Sequence, residues 1–339
     1  MGSAMAVPAA AMGHEIELIG THLDEAIITS VQGNGLHPRL NVQMPEAVHA
    51  HHYPALPEVL QKGADLIILG VSSAGVSWAI DQLSKALKSA IPILMITKGL
   101  QDHQGAIQIL PDVVSAALAK NLGYAVPVMA VGGPCIAGEL AVERDTSITI
   151  TGRDAGLVEK TIAMLQSPFY HARASDDVIG VELCAAFKNF FALAVGWAQG
   201  RLEVSGEATN GAKMHNLASG IFTQSVRELG ILVESLGGAQ ESVAGLAGVG
   251  DLYVTCLAGR NSRMGRLLGL GLSYSEAKAN HMAQDTVEGA ELAKALGPAL
   301  RGLWASGKLP EGRMPLSRAV VDAICDDQPL AMQWQDFAR

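Results

Sequence analysis

Three short apolar runs, at residues 64–71, 91–97 and 126–131, constrain this chain more than any other feature. Each is the length of one buried strand, and each runs into small or turn-forming residues. These are Ser72-Ser73 after the first, Lys98-Gly99 after the second, and Gly132-Gly133-Pro134 after the third. Residues 15–19, closed by Gly20, and 146–151 read as two further strands. Stretches of helical period, such as 76–88 and 108–122, lie between them. Strands alternating with helices imply an α/β fold, with a mostly parallel sheet covered by helices on both faces. Beyond about residue 180 the strand pattern stops. Helices are expected there over 180–200, 211–237, 240–246, 262–270, 275–281, 287–297 and 315–324. The division expected is therefore a sheet domain over 1–178 and an all-helical domain over 179–339. Residues 32–41 and 49–57 read as the least structured parts.

Composition narrows the function classes. The chain has 339 residues, enough for two cores. Aromatics are only 4%, so those cores must be aliphatic. A net charge of −9 gives no reason to expect nucleic acid. The four cysteines, Cys135, Cys184, Cys256 and Cys325, form no CxxC pair. They read as reduced thiols in a cytoplasmic protein. His49, His51 and His52 sit in a proline-containing loop without fixed ligand spacing, so no metal is expected. The amino terminus has no charged segment of the signal-peptide kind. The most apolar helical stretch, 183–199, contains Lys188 and Asn189, and reads as a buried helix rather than a membrane span.

In a doubly wound sheet, ligands bind at the carboxyl ends of the strands. Here those ends carry Ser72-Ser73, Lys98-Gly99 and Gly133-Pro134-Cys135: small residues that let a ligand approach, with one cation among them. Gly2-Ser3-Ala4, opening a helical segment that leads into the 15–19 strand, reads as the stretch just after the third glycine of a GxGxxG loop. On that reading a strand and two glycines are missing upstream, and supplying them should raise stability and cofactor affinity.

Lys188 is the sharpest single residue. Its helical neighbours Cys184, Ala185, Phe191 and Ala192 cannot pair with its charge. Such an ammonium either acts as a desolvated general base or snorkels to solvent. Asp251 follows the Gly248-Val249-Gly250 turn signal. Gly259-Arg260-Asn261 reads as a helix start that could hold a phosphate, with Arg263 and Arg266 extending the positive region. The alternative for this cluster is a solvated basic face. Asp176-Asp177 reads as a cap for the Lys188 helix.

These segments resemble one family in order along the chain. They are Pro8-Ala9-Ala10 to Gly13-His14, Thr97-Lys98-Gly99, Gly133 to Glu139, Asp176 to Glu182, Phe187-Lys188-Asn189, Gly250-Asp251-Leu252, Thr255-Cys256, Gly259-Arg260-Asn261 and Val287-Glu288-Gly289. The set, over about residues 2–325, is similar to the NAD(P)-dependent glycerol-3-phosphate dehydrogenases. The resemblance implies a Rossmann-type dinucleotide-binding domain and a helical substrate domain. It implies hydride transfer between NAD or NADP and the dihydroxyacetone phosphate/sn-glycerol 3-phosphate couple, with Lys188 moving the proton. It implies substrate contacts at Lys98, Gly133, Cys135, Lys188, Asp251, Thr255, Arg260 and Asn261, with Asp251 alternatively holding Lys188 in place. It places Gly2, Thr21, Lys98, Ala137, Arg260 and Glu288 near the cofactor, and carries a small phosphorylated substrate and a homodimer.

Three departures stand out. Cys135 occupies a position where bacterial members often have Ser and eukaryotic ones Asn. The Asp251-to-Arg260 interval resembles the shorter eukaryotic spacing. Gly20-Thr21-His22 supplies neither an acid nor an Arg to choose between NAD and NADP. The competing readings are a related 2-hydroxyacid or sugar-phosphate dehydrogenase, and a cofactor-deficient, non-catalytic relative.

Overall fold

The computed structural model describes every residue except 207, 258, 333, 338 and 339. The chain divides into two compact units. One is Met1–Lys98 with Leu110–Val178, and the other is Gly99–Ile109 with Ile179–Arg339.

The first unit opens with α1 (Gly2–Ala11), β1 (Ile16–Ile19) and α2 (Glu25–Asn34). A two-residue hairpin pair, β2 (Leu36–His37) and β3 (Val42–Gln43), leads to β4 (Val48–His51). β1 and β4 pair in parallel as a sheet of their own, with Ile16 opposite Val48 and Ile19 opposite His51. Next come α3 (Leu56–Gln61), β5 (Ile67–Leu69), α4 (Val76–Ala86) and β6 (Ile93–Met95). The hairpin β7 (Leu100–His103) and β8 (Ala106–Ile109) then departs to the other unit. α5 (Leu110–Leu122), β9 (Val128–Gly132), α6 (Ala137–Ala141), β10 (Thr146–Thr151), α7 (Ala155–Leu165) and β11 (Tyr170–Ser175) complete the first unit. The main sheet has the order β11-β10-β9-β6-β5 and is parallel except between β9 and β10.

Local chemistry explains these elements. α4 buries Val76, Ala79, Ile80 and Leu83, one apolar stripe at helical spacing, against β5 and β6. α7 starts where the Asp154 carboxylate accepts the Leu157 N–H. α1 packs Ala4, Met5, Val7 and Ala9 into the core formed by Leu94, Met129, Ile148 and Ile150. Each fully buried aliphatic side chain of this kind contributes roughly 1.5–3 kcal/mol. β4 falls in a stretch expected to be unstructured. Its histidines alternate with Val48 and Ala50, and His49 and His51 meet Glu15 and Glu17 beside β1.

The helices of the second unit include α8 (Val178–Ser205), α9 (His215–Ser235), α10 (Gln240–Ala244), α11 (Asp251–Leu257), α12 (Arg260–Gly269), α13 (Tyr274–His281), α14 (Glu288–Ala305) and α15 (Pro315–Cys325). The β7–β8 hairpin packs on α14. α8 is long and apolar enough to cross a bilayer, yet its apolar window is 89% buried inside the protein. Phe187, Phe190 and Phe191 on it are fully buried and meet edge to face or tilted. α13 opens with a reciprocal Ser273–Glu276 capping box.

Glycines set how closely the helices approach. A Cβ on Gly196 or Gly200 of α8 would lie 2.4 Å from Ser262 O or 2.1 Å from Arg266 O on α12. One on Gly265 or Gly269 of α12 would lie 2.0 Å from Leu193 O or 2.2 Å from Trp197 O on α8. The two helices therefore touch backbone to backbone. This G-x3-G spacing on both was readable in the sequence but carried no expectation. α8 carries Lys188 and Asn189, and α12 opens with Arg260 and Asn261, so this contact sets how those residues stand to one another.

Candidate active site

In the sheet unit, candidate residues gather at the carboxyl ends of β5, β6 and β9. Thr97, just beyond β6, donates its hydroxyl to Val71 O at 2.7 Å, tying its loop to that after β5. Lys98 Nζ donates to Gly133 O at 3.3 Å, tying it to the loop after β9. Gly133 has φ +121°, a backbone conformation that a side chain would disfavour. Cys135 and Ala137, the latter opening α6, pack at the margin of the core that holds α1.

The start of α1 lies beside the end of β5. A Cβ on Gly70 would come within 2.8 Å of Gly2 Cα, so only small residues fit at this junction. Such a cradle of small residues, with a lysine at the same edge of the sheet, fits a dinucleotide whose phosphates approach backbone closely. Thr21, after β1, donates both N–H and hydroxyl to Asp24 Oδ2, at 2.9 and 2.6 Å. The carboxylate nearest the end of β1 is thus turned into its own loop.

In the helical unit, Lys188 on α8 pairs with Asp251, the first residue of α11. The expected turn before Asp251 is a π-helical turn, Leu246–Gly250, so Asp251 lies on a helix and not in a loop. Its side chain is 1% exposed and that of Lys188 is 11% exposed. The Lys188 ammonium therefore neither snorkels freely nor stands alone. Its counter-charge comes from a distant helix, which helical spacing along α8 could not reveal. Thr255, one turn along α11, donates its hydroxyl to Asp251 O. Burial pushes the Cys256 thiol up to about 12, and the nearby Lys188 charge opposes this.

A second polar chain begins at the residue after Lys188. Asn189 Nδ2 donates to Glu288 Oε2 at 3.1 Å, and Asn189 Oδ1 accepts from Asn261 Nδ2 at 2.9 Å. Asn261 Oδ1 accepts from Gly289 N at 2.9 Å. Arg260 Nη2 donates to Glu288 Oε1 at 3.4 Å. α12 begins at Arg260 as the sequence suggested, with Gly259 preceding it at φ +119°. Arg263 and Arg266 turn elsewhere, to Asp285 and Glu203. The positive cluster expected on α12 thus reduces to Arg260 beside Asn261. Asn189, which had no role of its own in the sequence reading, joins Asn261 to Glu288.

The geometry has close counterparts among known proteins. Residues 1–158 match the family model for the NAD-dependent glycerol-3-phosphate dehydrogenase N-terminus, and residues 177–333 match that for its C-terminus. The chain belongs to the NAD-dependent glycerol-3-phosphate dehydrogenase family. It is 32% identical over 277 residues to the NADP(+)-dependent glycerol-3-phosphate dehydrogenase of Archaeoglobus fulgidus, covering 82% of this chain and 79% of that one. It is 31% identical over 282 residues to a glycerol-3-phosphate dehydrogenase [NAD(P)+] of Coxiella burnetii, covering 82% and 78%. The crystal structure of glycerol-3-phosphate dehydrogenase from Coxiella burnetii superposes with TM-score 0.78 at 27% identity, over 100% of this chain and 95% of that one. Family membership makes the chain an NAD(P)-dependent oxidoreductase acting on a CH–OH group, with the α/β and helical layout the sequence implied.

Proposed function

We propose that this chain interconverts dihydroxyacetone phosphate and sn-glycerol 3-phosphate, with Lys188 exchanging a proton with the C2 oxygen. The observation that carries this reading is the buried Lys188–Asp251 pair, adjoining in sequence the chain from Asn189 to Asn261, Glu288 and Arg260. A proton-transfer group and an anion-binding pair are what a phosphorylated hydroxyl substrate requires.

In the reducing direction, Lys188 gives a proton to the C2 oxygen as C2 gains a hydride, and the alcohol forms. NAD(P)H, when bound, would supply that hydride. Asp251 holds the ammonium in place and offsets the cost of burying it. Thr255, on the same helix, adjoins the substrate. Arg260 and Asn261 bind the phosphate at the amino end of α12, where backbone N–H groups add to their pull. In the sheet unit, Gly2, Thr21, Lys98 and Ala137 would hold the cofactor.

The test is NAD(P)H oxidation with dihydroxyacetone phosphate by the wild type and by Lys188→Ala. Turnover by the wild type and its loss in the variant are expected. Turnover on 2-oxoacids but not on dihydroxyacetone phosphate would overturn the substrate, and normal kcat in Lys188→Ala would overturn the proton-transfer role. The same reading carries a cytoplasmic homodimer, which sedimentation of the purified chain tests for assembly.

A further inference from the structure

Three glycines crowd the six residues that precede Asp251: Gly245, Gly248 and Gly250. This stretch folds as the π-helical turn Leu246–Gly250, entered from Gly245 in an extended conformation, with φ −89° and ψ −165°. The Gly250 N–H donates to Gly245 O at 3.2 Å, a bond that spans five residues where an α-helix spans four. The turn therefore holds one residue more than an α-helical turn. An α-helix advances about 100° for each residue, so with one residue fewer α11 would present Leu252, not Asp251, to Lys188. Leu252 is fully buried and uncharged, and could not pair with the ammonium.

Backbone packing fixes this turn in place. A Cβ on Gly248 would lie 2.1 Å from Val243 O and 2.6 Å from Val243 Cα, so the turn sits directly on the backbone of α10. Val243 is buried and has little room to yield. α10 is itself anchored: Gln240 Nε2 donates to Gly230 O of α9 at 3.0 Å. At the far end of α11, the Ser262 hydroxyl donates to both Thr255 O and Cys256 O, at 2.9 and 3.0 Å. α11 is thus tied at both ends, and the Asp251 carboxylate reaches Lys188 from a held backbone. Turns of this type recur at functional sites.

We propose that this π-turn is a positioning device and that Gly248 is its positioning residue. The absent side chain lets the turn seat on α10, and the extra residue turns the Asp251 carboxylate toward the Lys188 ammonium. For its catalytic consequence the inference rests on Lys188 as the proton-transfer group. The placement of the ion pair is tested without turnover.

The test compares the wild type, Gly248→Ala, Asp251→Glu and Gly248→Ala/Asp251→Glu. One readout is reduction of dihydroxyacetone phosphate. The other is magnetic-resonance titration of isotope-labelled lysine amines, with Lys188→Arg assigning the signal. Gly248→Ala should lose kcat by about 10- to 100-fold, the scale of a misplacement of about an ångström, with KM little changed. Its Lys188 amine should titrate at lower pH than in the wild type, because a displaced carboxylate no longer favours the charged form. Cys256, also beside Lys188, is pushed up to about 12 by burial and stays neutral until strongly alkaline pH. Asp251→Glu, one methylene longer, should impair the wild type but improve Gly248→Ala, a reversal of sign that mere loss of stability does not produce. Should Gly248→Ala fail to fold, Leu246→Ala, which trims the turn without adding atoms, should show the same changes in smaller measure, and no change in it would overturn the proposal. A Gly248→Ala protein that melts earlier yet keeps the wild-type kcat and Lys188 titration would reduce Gly248 to packing and overturn it too. So would equal losses from Asp251→Glu in both backgrounds. If Lys188→Ala keeps its kcat while Gly248→Ala moves the Lys188 titration, the proton-transfer reading falls and the positioning of the pair stands.

Discussion

Lys188 and Asp251 stand 63 residues apart in the chain and form a buried ion pair between the middle of α8 and the first turn of α11. Such a pair is asymmetric in its energetics. Removing one partner strands a charge in a dry site, which costs about 3–5 kcal/mol, whereas replacing both by apolar groups of similar volume is often close to neutral. Lys188→Ala and Asp251→Ala should each lower unfolding free energy by about that amount, and Lys188→Met/Asp251→Leu should recover most of it. All three should lose kcat by about 100-fold or more, because the proposed proton-transfer group is gone or misplaced. Urea titration beside steady-state kinetics separates the two effects. Single variants as stable as the wild type would contradict the burial argument.

Arg260 and Glu288 form a pair of another kind. Both side chains are about half exposed, at 50% and 53%, so their mutual attraction contributes at most about 1 kcal/mol to stability. The value of the contact lies in aiming the guanidinium. Arg260→Lys keeps the charge but loses the planar fork that grips a phosphate with two parallel bonds. KM for dihydroxyacetone phosphate should rise about 10- to 100-fold with Tm unchanged, on the scale of a lost charge-assisted hydrogen bond. Glu288→Gln should raise KM less, through a looser Arg260. An unchanged KM in Arg260→Lys would remove the phosphate from this position.

The backbone contact of α8 with α12 makes an opposite pair of glycine predictions. Gly265→Ala would drive a methyl to 2.0 Å from Leu193 O, with backbone on both sides and no flexible neighbour to yield. Overpacking of this kind costs about 1–3 kcal/mol. Because α12 begins at Arg260, its displacement should also raise KM. Gly302, on the exposed side of α14, has nothing within 4 Å of its added Cβ. Gly302→Ala should therefore stabilise by about 0.5–1 kcal/mol, by helix propensity and a less flexible unfolded chain. Thermal unfolding of the two variants checks the sign of each. A stabilised Gly265→Ala would mean that the helices are not in contact there.

Much of this was legible before the fold was known, and the exceptions share a cause. The 146–151 run is β10 to the residue, and the helix expected over 275–281 is α13 to within one residue, because periodicity and capping are local. The 49–57 stretch hid β4, whose alternate positions carry histidines that find glutamates across the sheet. The β7–β8 hairpin was read partly as the start of a helix. Its strands are short, and its pairing is set by the Gln104-Gly105 turn, where both residues have positive φ. Lys188 and Asp251 were each singled out, and the family resemblance allowed Asp251 to hold the lysine, but spacing alone could not show the pair, since charge pairing across helices leaves no trace in it. The G-x3-G ridges were visible but could not be read as contacts until two helices were seen to cross.

Glu228 should make stability depend on pH. It lies on α9, is completely buried, and accepts hydrogen bonds from Gln224 Nε2, Leu316 N, Ser317 N and Ser317 Oγ at 2.6–2.8 Å. It thereby caps the amino end of α15. Burial pushes its carboxyl above the usual glutamate value of 4.5, and the hydrogen bonds from Ser317, Gln224 and the α15 amides only partly oppose this. With the folded value raised, the folded state keeps the proton longer than the unfolded one. The stabilisation linked to this proton is fully present below about pH 4.5 and is lost as pH rises through the folded value. Each pH unit of separation between the two states is worth about 1.4 kcal/mol. Glu228→Gln cannot titrate, so the stability of the wild type relative to this variant should fall as pH rises from about 4 toward 8, measured by urea unfolding at each pH. Glu228→Ala should instead be destabilised at every pH by about 1–3 kcal/mol for each orphaned α15 amide. Parallel stability curves for the wild type and Glu228→Gln would show that this carboxyl titrates alike in both states.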